Sequence, residues 1–242
     1  MQYGNPTNNK VSKMFYFIFT AIIGAALIAM LTLILRKHRM HKSASQREYM
    51  PPTDLTEWDL RSMAYHEAGH AVCSYYLPER EKLLKITINP SDESFGMIQT
   101  LQRPHHNETK TSLMSCISTF LAGGMAEEKF LGTKTTSCIH DLAAAQSIAI
   151  DMVIKFGMGP ELGFCALKNT DYFSVSERHK EQIIQDVSKI LNEASQNAQK
   201  VLCEHEYVTK SLAERLLKKK TLDSHEIMCF FEECENAHES TH

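Results

Sequence analysis

No charge of either sign dominates this chain: 26 Lys and Arg against 29 Asp and Glu leave a formal net charge of −3 over 242 residues. No basic stripe with interleaved aromatics occurs, so a nucleic-acid partner is not expected. No two of the seven cysteines (73, 116, 138, 165, 203, 229, 234) form a C-x-x-C pair, and their number is odd. That pattern argues against a disulfide framework or a thiolate zinc site and suits a reducing compartment. The sequence holds no G-x-x-x-x-G-K-[ST], hence no loop to cradle nucleotide phosphates, and no ATP site is expected. Internal repeats and low-complexity tracts are missing as well. With 43% hydrophobic and 23% charged residues, the composition is that of a folded protein, which excludes wholesale disorder.

One stretch lacks charge altogether. Residues 14–35, MFYFIFTAIIGAALIAMLTLIL, are uncharged throughout. As a helix they reach about 33 Å at the α-helical rise, enough for a hydrocarbon core of roughly 30 Å. A cleaved signal peptide has a shorter apolar region and a small-residue cleavage site; here RKHRMHK follows directly. The run is therefore expected to be a transmembrane helix. Lys10 and Lys13 precede it, whereas Arg36, Lys37, Arg39, Lys42 and Arg47 follow. The positive-inside rule then puts the remainder of the chain on the cytoplasmic side of an inner or cell membrane.

Residues 36–56 read as a basic, then polar, linker containing Met50-Pro51-Pro52, through which no helix runs. From Asp54 or Thr56 a helix is expected, with apolar residues at Leu60, Met63, Ala64, Ala68, Ala71, Val72 and Tyr75, ended by Pro78. Two strand-like runs, 83–89 and 95–101, flank a Pro-Ser-Asp turn region. Further helices are expected over about 110–131 (closed by Gly132), 137–156, 176–203, 207–219 and 223–235, the last opened by Asp223 with Glu226 three residues on. The fold class is thus mainly α with a small β-sheet (α+β).

On the first of these helices lies His66-Glu67-Ala68-Gly69-His70, an H-E-x-x-H motif. Two imidazoles four residues apart share one helical face and are spaced to bind a single zinc ion. A catalytic zinc keeps one position open for water, and Glu67, beside the first ligand, is the residue to take that water's proton. A second H-E-x-x-H, His238 to His242, ends the chain, where a fraying terminus holds no fixed geometry. It is read as coincidence. A third ligand is required, and Glu127, Glu128, His140 and Asp141 are all candidates that spacing does not separate.

Around and beyond the motif run the blocks AYHEAGHAV (64–72), YLPE (76–79), KITINP (85–90), LAGGMAEEKFLG (121–132), HDLAAAQSIAIDMV (140–153), FGMGPELG (156–163) and LAERLLKKKTLDSHEI (212–227). In these blocks the chain resembles the peptidase domain of the FtsH family of membrane-anchored, ATP-dependent zinc proteases. The resemblance implies Asp141 as third metal ligand and a supporting role near the metal for Glu127. It implies that the strand beginning Gly96, Met97 and Ile98 holds extended substrate by strand addition. Two departures stand out: Ser137 and His140 replace a family Gly and Asn, and His140 is placed to perturb the site or compete for metal. The family's ATPase module has no counterpart in the linker.

These readings give five segments: an N-terminal tail (1–13), a transmembrane helix (14–35), a linker (36–56), an FtsH-like zinc peptidase domain (57–232) and a C-terminal tail (233–242). The expected activity is that of a membrane-anchored zinc metalloendopeptidase with one Zn2+ per chain, working without its own ATPase on proteins or peptides. Self-association, or association with a separate FtsH-like ATPase, is the expected assembly. The alternative is a non-proteolytic accessory subunit of such a complex, in which Glu67 would have no use.

Overall fold

The computed structural model describes residues 55–79, 82–90, 96–101, 107–163 and 176–239. The apolar run 14–35, its flanking tail and nearly all of the linker lie outside the described residues, as do the 91–92 turn positions and residues 240–242.

Helix α1 (Glu57–Tyr76) opens with a capping box. Thr56 Oγ1 accepts the Asp59 N–H at 3.2 Å and Asp59 Oδ2 accepts the Thr56 N–H at 2.9 Å, so two orphan donors are satisfied at once. Every residue from Ser62 to Ser74 is buried. A helix covered on all sides belongs at the centre of a domain, and the H-E-x-x-H motif is carried inside with it.

Helix α2 (Lys110–Leu131) packs along α1. The two backbones meet at Gly69, where an added Cβ would stand 2.6 Å from both Ala122 O and Ala126 Cβ. Gly132 ends α2 in the left-handed conformation at φ 78°, as its position in the sequence predicts. One 3-10 turn (Thr136–Cys138) then leads into α3 (Ile139–Ile154). Long amphipathic α4 (Glu177–Glu204) buries Ile183, Val187, Ile190, Ala194, Ala198 and Val201 at helical spacing. It is followed by α5 (Glu206–Lys219) and α6 (Ser224–Glu239). Asp223 and Glu226 form the expected reciprocal cap: Asp223 Oδ1 accepts the Glu226 N–H at 2.9 Å, and Glu226 Oε2 accepts the Asp223 N–H at 3.1 Å.

The strands β1 (Lys82–Thr87) and β2 (Met97–Leu101) pair antiparallel, with Ile86 opposite Ile98. A third strand, β3 (Thr221–Asp223), pairs on the other side of β1 and puts Leu222 opposite Ile86. Three residues between two helices carry no alternation to read, so β3 is legible only in the fold. The order β2-β1-β3 leaves β2 at an edge. Helix α6 also runs past its expected end, to Glu239; within it Phe230 and Phe231 are buried, and Tyr75 donates to Glu235 at 3.1 Å.

Two apolar cores result. One gathers α1, β1, α5 and α6 around Val72, Ile86, Leu212 and Phe231; the other gathers α2, α3 and α4 around Ile117, Met152 and Ile190. Helix α2 contributes to both. Thr136–Ile154 is long and apolar enough, by length and composition, to cross a membrane. Its Ala145, Ala149 and Met152 are packed into the second core, while Ile139 and Leu142 are exposed.

Candidate metal centre

The site forms where α1, α2 and α3 meet. His66 and His70, one turn apart on α1, stand with ring planes 84° apart. Their Nε2 atoms are 3.0 Å from each other, and Asp141 Oδ2 from the first turn of α3 lies 3.1 Å from His66 Nε2 and 3.4 Å from that of His70. Among the described residues these three are the group whose donor atoms could hold a metal ion.

The Nδ1 atoms are tied off on the opposite sides of the rings. His66 Nδ1 donates to Glu127 Oε1 at 2.6 Å, and His70 Nδ1 donates to the backbone carbonyl of Thr119 at 2.7 Å. Both acceptors fix the tautomer that leaves Nε2 facing the common point. Gly123 makes room for this: a Cβ there would come within 2.5 Å of His70 Nε2 and 2.8 Å of His66 Cε1.

Electrostatics follow from the crowding. Burial disfavours the His66 imidazolium, but hydrogen bonds to Asp141 and Glu127 outweigh it and push its pKa up to about 10. Asp141 is also opposed by burial, yet the hydrogen bonds with His66 and His70 hold it well below the usual carboxylate range. Two imidazole nitrogens and a carboxylate oxygen thus face one point. An N,N,O donor set is one that zinc accepts. The residues present therefore fit a zinc ion.

Glu67 is 6% exposed, with its carboxylate directly against Gly96. Burial raises its pKa; His70 and His66 pull the other way, and the net direction is upward. Glu127 is fully buried at 0% exposure. Burial works against its charge, but donors from His66, Ser137 and Thr135 prevail and keep it ionised.

Of the four third-ligand candidates, Asp141 alone joins the histidines directly. Glu127 stands behind His66. Glu128 points to solvent and pairs with Lys134 at 3.1 Å, and His140 is exposed outside the cluster. Along β2, Met97 is exposed while Ile98 is partly buried against the core. The Thr119 carbonyl and the Thr135 amide were not legible beforehand, since backbone groups leave no residue-type signal.

A sequence model of peptidase family M41 matches residues 54–230, spanning α1 through the first turns of α6 and every residue of this cluster. The chain belongs to that family. Over 172 residues it is 35% identical to the ATP-dependent zinc metalloprotease YME1L1 of Mus musculus, covering 70% of this chain and 24% of the relative. It is 32% identical over 177 residues to YME1L of Drosophila melanogaster, with coverages of 70% and 24%. Over 197 residues it is 30% identical to FtsH of Thermus thermophilus, with coverages of 76% and 32%. This M41 chain thus spans about a quarter to a third of the length of these relatives.

Proposed function

We propose that this chain is a zinc-dependent endopeptidase, tethered to a membrane by residues 14–35 with its peptidase domain on the cytoplasmic side, that cuts extended polypeptide without a nucleotide of its own. The observation that carries this reading is the convergence of His66 Nε2, His70 Nε2 and Asp141 Oδ2 beside the buried carboxylate of Glu67.

His66, His70 and Asp141 are the residues that would hold zinc. When bound, the ion supplies a Lewis acid that polarises the scissile carbonyl and acidifies water. The chain's own groups do the rest. Glu67 takes a proton from the attacking water and returns it to the departing amide nitrogen, and its raised pKa suits a group that must hold that proton between steps. Glu127 keeps the His66 ring oriented. Among the described residues β2 is an edge strand, and its outer side offers backbone N–H and C=O groups to an extended peptide, which then lies as a further strand with Gly96 beside the catalytic carboxylate. A site that accepts substrate as a strand requires it to be unfolded or flexible. This fits cutting of loose or already unfolded segments.

The test is metal removal. Cleavage of a fluorogenic unstructured peptide by the full chain, in detergent and without nucleotide, should stop after chelation and return on adding zinc. Cleavage that persists in the chelated protein would rule the reading out.

A further inference from the structure

Two of the hydroxyls on the turn between α2 and α3, those of Thr135 and Ser137, are linked to Glu127 and left unused by the chemistry above. Ser137 Oγ donates to Glu127 Oε1 at 2.8 Å and lies 3.4 Å from His66 Nδ1. Thr135 Oγ1 is 2.7 Å from Ser137 Oγ and accepts the Ser137 N–H at 3.2 Å. The Thr135 amide donates to the other Glu127 oxygen, Oε2, at 2.6 Å. The hydroxyl protons can be assigned from this. The Glu127 carboxylate only accepts, so Ser137 spends its proton there and Thr135 donates its own to Ser137. The result is a one-directional relay of donors, Thr135 to Ser137 to Glu127, meeting the His66 N–H at Oε1.

Glu127 is fully enclosed, and a buried carboxylate needs its acceptor sites filled. Oε1 is gripped by Ser137 and His66, and Oε2 by Thr135. A carboxylate's terminal torsion is broad when unrestrained. Without the Ser137 hydroxyl, Oε1 keeps His66 as its single donor and Oε2 keeps the Thr135 amide, so the carboxylate plane, with the imidazole it orients, is held less firmly. Asp141 follows Ser137 by four residues, so the same turn also delivers the donor that comes from α3. FtsH-type sequences, by the resemblance above, carry a glycine where this chain has Ser137.

We propose that Ser137 is a positioning residue that acts through Glu127 to hold the His66 imidazole in metal-ready orientation, with Thr135 anchoring Ser137. This rests on the zinc reading given above.

The test uses the full chain as parent, Ser137→Ala, Ser137→Thr and Thr135→Val, with zinc affinity read by chelator competition and site geometry by the visible spectrum of the cobalt-loaded protein. Outer partners of metal ligands are worth about 10–100-fold in affinity. Ser137→Ala and Thr135→Val should each weaken zinc by about 10-fold, at the lower end of that range, and shift the cobalt bands. Ser137→Thr, which keeps the hydroxyl, should restore both readouts. Should Ser137→Ala fail to fold by circular dichroism, Thr135→Val, which leaves the Ser137 hydroxyl in place, carries the same test. Equal zinc affinity and unchanged cobalt spectra in the folded variants would overturn the inference. A parent chain that binds no zinc would instead overturn the proposed function, so the two failures are told apart.

Discussion

Gly96 lies so close against the carboxylate of Glu67 that no Cβ fits at that position without displacing it. The first residue before the edge strand and the proposed general base therefore share one space. Gly96→Ala should push the carboxylate away from its working position. General acid–base catalysis is worth roughly 10²–10⁴-fold, and partial misplacement should cost kcat about 10–100-fold within that range. Zinc content and thermal unfolding should stay close to the parent. An unimpaired Gly96→Ala enzyme would show that Glu67 does not act from where it stands.

Asp141 and His140 are neighbours with opposite expectations. Asp141→Ala removes one of three donors and should lower zinc affinity by more than the roughly 10–100-fold that an outer partner is worth. His140→Ala should leave it unchanged, because that side chain is exposed and outside the cluster. Metal analysis after dialysis against a zinc buffer decides this. Metal loss in His140→Ala would place His140 in the site.

Gly69→Ala tests the α1–α2 contact. Alanine gains about 0.5–1 kcal/mol in helix propensity over glycine. Against that, overpacking typically costs about 1–3 kcal/mol, and the new methyl would meet Ala122 O and Ala126 Cβ at 2.6 Å. The clash should win, giving a net loss of up to about 2 kcal/mol in denaturant unfolding of the metal-free protein. A stabilised variant would mean the two helices are less tightly fitted than this.

Much of the architecture was legible because its signals are local. Thr56, Gly132 and Asp223 with Glu226 mark helix ends through caps that depend on a few adjacent residues. His66 and His70 announce themselves by helical spacing alone. Asp141 does not: it arrives from another helix, and four candidates stood equal until the FtsH resemblance chose among them. Strand β3 was invisible because three residues are too few for a pattern, and it exists only because β1 offers an edge. Ser137 could be flagged as a departure from the family, but its bond to Glu127 depends on how the α2–α3 turn folds back, and that is a tertiary fact.

The measurement that bears most directly on the account is cleavage of casein by the zinc-loaded full chain, without nucleotide, beside its Glu67→Gln variant. The account predicts that the parent cuts, that the variant is slower by roughly 10²–10⁴-fold, and that both retain one zinc per chain. A parent that binds zinc yet does not cut, or a variant that cuts as fast as the parent, would contradict it.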